Sequence, residues 1–115
     1  MENKTIGLAL PPEESIILEK RANKKKTWFN YLGGKIVLTN GAVYFKPHKF
    51  NTSYDITRVP LKDIHVLRKG SSFKLIPNRM IIGDQQGTEH VFVVSNREAF
   101  FHALETQLRN KEVKK

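Results

Sequence analysis

Apolar and polar residues alternate with a period of two along most of this 115-residue chain, a pattern typical of β-strands with one buried face. Glycine, proline and asparagine separate the alternating runs. The pair Gly33-Gly34 predicts that the second run begins near Lys35, or near Trp28 with a bulge. The pattern predicts seven short strands, over residues 14–20, 35–39, 42–47, 54–60, 63–68, 79–84 and 89–94.

The last part of the chain has a helical pattern instead. Ser95 and Glu98 have the spacing of a capping box, which predicts a helix over residues 96–110. Its apolar residues recur at intervals of three and four, at Phe100, Ala103, Leu104 and Leu108. We expect this amphipathic helix to bury its apolar stripe against the sheet.

The dipeptide Asn40-Gly41, between the second and third strands, is the clearest local signal. Asn-Gly between alternating apolar residues favours a two-residue type I′ turn, which needs positive φ at both positions. This turn places Ile36 opposite Phe45 and Lys35 opposite Lys46. The predicted core face contains Ile36, Leu38, Val43 and Phe45. The predicted outer, solvated face contains Lys35, Val37, Thr39, Ala42, Tyr44 and Lys46.

The composition fits a single globular domain, with 39% hydrophobic and 27% charged residues. We expect an extended N-terminal segment over residues 1–12, one domain over 13–110 and a basic tail over 111–115. No apolar run has the length of a membrane span or a signal peptide. The lack of cysteine excludes disulfides and thiolate metal sites, and it fits a reducing compartment such as the cytoplasm.

The charge balance is strongly basic, with 20 Lys and Arg against 11 Asp and Glu and a net charge of +9. Such a balance favours anionic partners: lipid headgroups, acidic proteins or nucleic acid.

Catalytic motifs are missing from the sequence. It contains no Gly-rich phosphate loop and no nucleophile elbow. The four histidines, which share no metal-ligand spacing, are His48, His65, His90 and His102. We therefore expect no enzymatic activity, no metal and no cofactor.

Six short motifs follow one another along the chain: GKIVLTN at 34–40, VYFKP at 43–47, PLKDI at 60–64, Pro77-Asn78, FVV at 92–94 and NREAF at 96–100. In their order and spacing they resemble the GRAM domain of the pleckstrin-homology-like superfamily. The resemblance covers about residues 13–108 and is to small stand-alone GRAM proteins of the bacterial type.

This resemblance implies a mainly β fold: a seven-stranded, partly open barrel or sandwich of two antiparallel sheets, capped by one C-terminal helix. In that fold the loops after the first, third and sixth strands meet at the open end, here over residues 21–34, 47–53 and 84–88. The candidate anion-binding residues are then Lys24, Lys25, Lys26, Lys35, Lys46, His48 and Lys49. The candidate aromatic contacts are Trp28, Phe29 and Phe50.

The opposed Lys35 and Lys46 have two interpretations. Like charges on facing residues destabilise a sheet, and either an anionic partner or simple solvation of two surface lysines relieves the repulsion. Solvation is the commoner case. Trp28 is likewise either a core aromatic, which is commoner, or a membrane contact.

Three functions compete on this basis. The first is weak electrostatic binding of anionic lipid headgroups, with the protein peripheral at the membrane. The second is binding of an acidic protein surface or self-association, through open sheet edges and the outward Val37, Ala42 and Tyr44. Nucleic-acid binding, with loop aromatics stacking on bases, ranks third.

Overall fold

Seven antiparallel strands and a C-terminal helix make up the fold. The computed structural model describes residues 10–27, 30–48, 56–72 and 76–113. The strands are β1 (Ile16–Lys25), β2 (Tyr31–Thr39), β3 (Ala42–Pro47), β4 (Thr57–Pro60), β5 (Ile64–Ser72), β6 (Ile76–Asp84) and β7 (Glu89–Val94). A 3-10 turn (Leu61–Asp63) joins β4 to β5, and the helix is α1 (Arg97–Val113).

The strands form one continuous sheet in the order β4-β3-β2-β1-β7-β6-β5. The expected two sheets are joined because β1 pairs with β2 along its length and with β7 through Ala22, Asn23 and Lys24. No pairing joins β4 to β5 within the described strands, so the sheet is not closed. The predicted mainly β fold with a single C-terminal helix is therefore confirmed.

The core lies on one face of this curved sheet, beneath the helix. The rings of Phe45 and Phe92 are 5.8 Å apart in the middle of the core. From α1, Phe100 and Leu104 are fully buried, and Ala103 and Leu108 pack against the same core. The apolar stripe predicted for the helix thus contacts the sheet as expected.

The predicted register of the β2–β3 hairpin is confirmed, but its turn type is wrong. Lys35 faces Lys46 and Ile36 faces Phe45. Among the described residues only Asn96 and Gly87 have positive φ, so Asn40-Gly41 is not a type I′ turn. Instead the Thr39 hydroxyl accepts the N–H groups of Gly41 and Ala42, both at 3.0 Å.

The absent side chain of Gly41 has a different role in this hairpin. A Cβ at Gly41 would lie 2.6 Å from Oε2 of Glu14. The glycine is therefore required for close packing of the N-terminal segment, not for a left-handed backbone.

The glycine pair does not interrupt the second strand, contrary to the prediction. Both glycines lie within β2, where Gly33 faces Asn23 and Gly34 faces Ala22. A Cβ at Gly34 would lie 2.2 Å from the carbonyl oxygen of Lys46. The pair thus permits β3 to approach closely, and β1 and β2 both extend further toward their connecting loop than predicted.

The outer face of the β2–β3 hairpin is largely buried, which corrects the prediction of a solvated face. Val37, Thr39 and Ala42 are fully buried and Tyr44 is 3% exposed. The apolar residues that cover this second cluster are Leu10, Ile16 and Ile56. Alternation alone could not reveal the burial, because two of these residues come from outside the strands. Only Lys35 and Lys46 of the predicted outer face reach solvent, and Lys46 is half-buried.

A buried carboxylate fastens the N-terminal segment to this face. Glu14 accepts hydrogen bonds from the Thr39 hydroxyl at 2.9 Å and the Tyr44 hydroxyl at 2.8 Å. It also forms an ion pair with Arg58 at 2.6 Å. Burial alone would raise the pKa of Glu14, but the hydrogen bonds from Tyr44, Arg58 and Thr39 outweigh it and hold the pKa below its usual value.

The start of α1 differs from the predicted capping box. The Ser95 N–H donates to the carbonyl of Arg21 at 3.0 Å. The Glu98 carboxylate accepts from Lys69 at 2.8 Å and also binds Arg97, so it does not reach back to Ser95. The helix continues to Val113, beyond the predicted end.

Candidate anion-binding surface

Strand pairing brings three loop-bearing ends of the sheet together. Lys24 of β1 faces Leu32 of β2 on one side and Phe92 of β7 on the other. Because neighbouring strands are antiparallel, the β1–β2, β3–β4 and β6–β7 connections lie at the same end of the sheet. Helix α1 follows β7 from the opposite end. We call the loop-bearing end the open end.

The three consecutive lysines after Asn23 do not form a loop cluster. Lys24 and Lys25 are the last two residues of β1 and point to opposite faces of the sheet, because side chains alternate along a strand. Lys24 shares the core face and is half-buried, whereas Lys26 is exposed. Burial, and secondarily the charge of Lys26, lowers the pKa of Lys24.

A row of cations crosses three neighbouring strands on the outer face. Arg21 of β1 faces Lys35 of β2, and Lys35 faces Lys46 of β3. In the next row Asn23 faces Gly33, whose carbonyl accepts the His48 N–H at 2.9 Å. We call the residues Arg21, Lys25, Lys35, Lys46 and His48 the outer cationic face.

Two cations of the outer cationic face have no side-chain partner among the described residues. Arg21 and Lys35 are exposed, and neither side chain makes a hydrogen bond or ion pair with the part of the chain that the structure describes. Lys25 and Lys46 do have partners. Glu19 also has a partner and is the acidic residue of β1 on this face. Positive charge therefore predominates on these strands.

The third loop of the open end, the β6–β7 turn, contains a carboxylate, Asp84, that is already hydrogen-bonded within the turn. Asp84 accepts the N–H groups of Gln86 and Thr88, both at 3.0 Å, and lies 3.1 Å from a ring nitrogen of His90. The His90 contact and these backbone hydrogen bonds lower the pKa of Asp84. The carboxylate thus organises the β6–β7 turn, where Gly87 has a φ of 85°.

The structure brings only part of the predicted site together. Lys35, Lys46 and His48 lie on neighbouring positions of the outer face, and Lys25 shares that face. Lys24 lies on the core face of the sheet and Lys26 follows β1 in the connection to β2. Four predicted residues lie outside the described part of the chain: Trp28, Phe29, Lys49 and Phe50.

The sequence prediction missed Arg21. A predicted β1 that extended to Lys25 would have revealed its position, because pairing of β1 with β2 places Arg21 directly opposite Lys35. The predicted end of β1 at Lys20 concealed this relation.

Other chemistry is not indicated by the described residues. They contain no group of three or more His, Asp or Glu side chains arranged to hold a metal ion. None of their helices combines the length and apolar character needed to cross a membrane.

Comparison with solved structures shows the fold. The crystal structure of the C-terminal domain of an unknown protein from Leishmania infantum matches with a TM-score of 0.72 and 14% identity, covering 83% of this chain and 84% of that one. The Vps36 N-terminal PH domain matches with a TM-score of 0.74 and 19% identity, covering 91% and 86%.

Comparison of sequences identifies the family. No curated protein matches the chain. The sequence model of the GRAM domain matches residues 2–112, nearly the whole chain. The motifs from Gly34 to Pro47, the sheet order and the single C-terminal helix agree with that match. The chain belongs to the GRAM domain family.

Proposed function

We propose that this GRAM domain is a non-catalytic module that binds anionic lipid headgroups at a membrane surface. The binding residues are the outer cationic face together with Lys24 and Lys26, which lie near the open end. The sequence candidate Lys49 is outside the described residues. Such binding would make the protein peripheral at the cytoplasmic side of a membrane.

The observation that carries the proposal is the row formed by Arg21, Lys35 and Lys46. Facing like charges destabilise neighbouring strands. The row contains two cations, Arg21 and Lys35, that no described carboxylate neutralises. An anionic surface would relieve their repulsion.

The expected affinity is low and depends on ionic strength. A Lys or Arg close to an anionic bilayer contributes about 1 kcal/mol, so the exposed Arg21, Lys26 and Lys35 together contribute about 3 kcal/mol. Exposed charges are screened within about 8 Å at physiological salt. Stable attachment would therefore need several cations to reach the membrane at once.

Co-sedimentation with vesicles tests the proposal. Vesicles of phosphatidylcholine alone are compared with vesicles that also contain phosphatidylserine, over a series of salt concentrations. We expect binding to the anionic vesicles that weakens as salt rises, and negligible binding to the neutral ones. Equal and negligible binding to both kinds of vesicle would rule the proposal out.

Protein binding or self-association is a second candidate. The edge strand β5 is nine residues long, and Val66 on it is 40% exposed. Edge strands can pair with another chain. The sequence pattern predicted that Val37, Ala42 and Tyr44 point outward and form part of the contact surface. They do not support this candidate, because all three are buried. Light scattering that finds a strict monomer, together with a pull-down that recovers no partner, would count against this candidate.

Nucleic-acid binding ranks third. This hypothesis rested on Trp28, Phe29 and Phe50, whose aromatic rings could stack on bases. These three residues lie outside the described residues. A gel-shift assay that shows no binding at low salt would exclude it.

A further inference from the structure

The Asn40-Gly41 pair in the turn between β2 and β3 is chemically labile. The side-chain amide of an asparagine can be attacked by the backbone nitrogen of the next residue, and glycine permits this most readily because it has no side chain to obstruct the approach. No other asparagine in the sequence precedes a glycine. Asn40 is also exposed, so water and base can reach it. The chemistry therefore favours spontaneous deamidation at Asn40 over the other asparagines.

In the folded protein the groups that would react are engaged in hydrogen bonds. The Ser15 N–H donates to Oδ1 of Asn40 at 2.9 Å, and Nδ2 of Asn40 donates to the carbonyl of Glu13 at 3.2 Å. These partners fix the orientation of the amide, because a backbone N–H only donates and a carbonyl only accepts. The attacking nitrogen, that of Gly41, donates to the Thr39 hydroxyl at 3.0 Å. The folded state thus holds the reacting atoms in other contacts.

The segment that holds Asn40 is itself held by Glu14. We call residues 10–15 the N-terminal strap. The Glu14 carboxylate fastens the strap to the sheet through three side chains: Thr39, Tyr44 and Arg58. Opening of the strap would free both atoms of the Asn40 amide at once. The rate of reaction at Asn40 should therefore follow the fraction of molecules in which the strap is open.

We infer that Asn40 is a deamidation site that the N-terminal strap protects, and that deamidation releases the strap permanently. When the strap opens, the Gly41 nitrogen gives its proton to hydroxide and bonds to Cγ of Asn40, and Nδ2 leaves as ammonia. Water then opens the succinimide ring at either carbonyl, which gives aspartate or isoaspartate. The net reaction consumes a water molecule, releases an ammonia molecule and involves no change of oxidation state.

The product does not fit the closed strap. The Ser15 N–H can still donate to the new carboxylate, but the lost nitrogen leaves an oxygen facing the Glu13 carbonyl, and neither can donate. The reaction also adds negative charge close to Glu14, since a Cβ at Gly41 would lie 2.6 Å from Oε2 of Glu14. Isoaspartate in addition lengthens the backbone of the turn, which displaces the Gly41 N–H from the Thr39 hydroxyl. Release of the strap uncovers the second apolar cluster beneath it.

Timed incubation at mildly alkaline pH, followed by peptide mass spectrometry, measures deamidation at residue 40. Glu14→Ala should deamidate there about tenfold or more faster than wild type, because the charged hydrogen bonds that close the strap are lost. Tyr44→Phe removes one of these donors and keeps the ring, so it should give an intermediate rate. The matched control is Glu13→Ala, an exposed neighbour, whose rate should lie within about twofold of wild type.

Hydrogen exchange of Asn40→Asp tests the second half of the inference. The Glu14 N–H donates to the Pro11 carbonyl within the strap at 3.0 Å. Its exchange should be about tenfold faster in Asn40→Asp than in wild type, because the Glu13 carbonyl loses its donor. The matched control is Asn30→Asp, which makes the same charge change at an exposed asparagine between β1 and β2 and should leave this exchange unchanged.

Equal deamidation rates at residue 40 in wild type, Glu14→Ala and Tyr44→Phe would overturn the inference. Unchanged exchange of the Glu14 amide in Asn40→Asp would overturn it as well. Native amide signals from β6 and β7 show which variants remain folded, and if Glu14→Ala unfolds, the comparison of Tyr44→Phe with Glu13→Ala decides. The vesicle experiments measure a separate property, so failure of the membrane proposal would leave this inference standing.

Discussion

Removal of the Glu14 carboxylate should destabilise the fold strongly, although Glu14 precedes the first strand. The side chain is 5% exposed and receives hydrogen bonds from Thr39 and Tyr44 and an ion pair from Arg58. Arg58 in turn donates to the Tyr44 hydroxyl at 3.0 Å and lies 5.5 Å from its ring centroid. Glu14 thus holds residues 10–15 over the second apolar cluster.

The magnitude follows from these contacts. Breaking a buried ion pair costs about 3–5 kcal/mol, because the remaining partners lose their counter-charge. The Arg58 side chain is 41% exposed and can regain water, which places Glu14→Ala near the lower end, at about 3 kcal/mol. A domain of this size loses about 4 °C of Tm per kcal/mol, so the expected decrease is about 12 °C.

The effect should also depend on pH. The pKa of Glu14 in the folded protein lies below its usual value, so the folded state favours the ionised carboxylate. Its stabilisation is fully present above the pKa of the unfolded chain and is lost as pH falls through the lower folded pKa. The difference in unfolding free energy between wild type and Glu14→Gln should therefore be largest near neutral pH and shrink in acid.

Urea denaturation at neutral pH and at several acidic pH values measures both effects. The matched control is Glu13→Ala, because Glu13 is the exposed neighbouring carboxylate and should change stability by less than about 0.5 kcal/mol. An unchanged midpoint for Glu14→Ala, or a Glu14→Gln deficit that stays constant with pH, would refute the reasoning.

The remaining predictions concern the strands beneath the outer cationic face. Gly34→Ala should lower the free energy of unfolding by about 3 kcal/mol or more, because its Cβ would meet the Lys46 backbone. Gly33→Ala should lower it by less than about 1 kcal/mol, because only side-chain atoms must move. Thermal unfolding of the two variants tests this contrast, and equal Tm values would contradict it. Lys35→Glu should raise stability by about 0.2–1 kcal/mol, by turning a repulsive cross-strand pair with Lys46 into an attractive one, while it lowers binding to anionic vesicles. A parallel loss of stability and binding would indicate a structural role for Lys35 instead.

The β2–β3 hairpin shows which features local sequence can determine. Alternation on both sides of Asn40-Gly41 determined the register, because a shift by one residue would move every apolar side chain to the wrong face. The turn type depended on the Thr39 hydroxyl and on Glu14, which is 25 residues from Thr39 in sequence. Burial of Val37 and Ala42 likewise depends on Leu10 and Ile56, which no local pattern connects to the strand.

The candidate anion-binding surface, like the hairpin, was predictable only in part. The facing lysines followed from the hairpin register. Arg21 did not, because Gly33-Gly34 resembled a break in the second strand. Those glycines instead allow close packing of Pro47 and leave the space between Asn23 and His48. Glycine in a strand signals either a break or a close approach, and only the neighbouring strands decide between the two.

Vesicle co-sedimentation of a charge-reversed variant is the most direct test of the membrane proposal. Arg21→Glu with Lys35→Glu removes the two cations of the outer cationic face that have no described partner, and Arg109→Glu with Lys62→Glu is the control with the same net charge. At low salt we expect the first variant to lose most of its binding to phosphatidylserine vesicles, while the control keeps most of it. Equal loss in both variants would show that only net charge matters and would contradict a binding role for this surface.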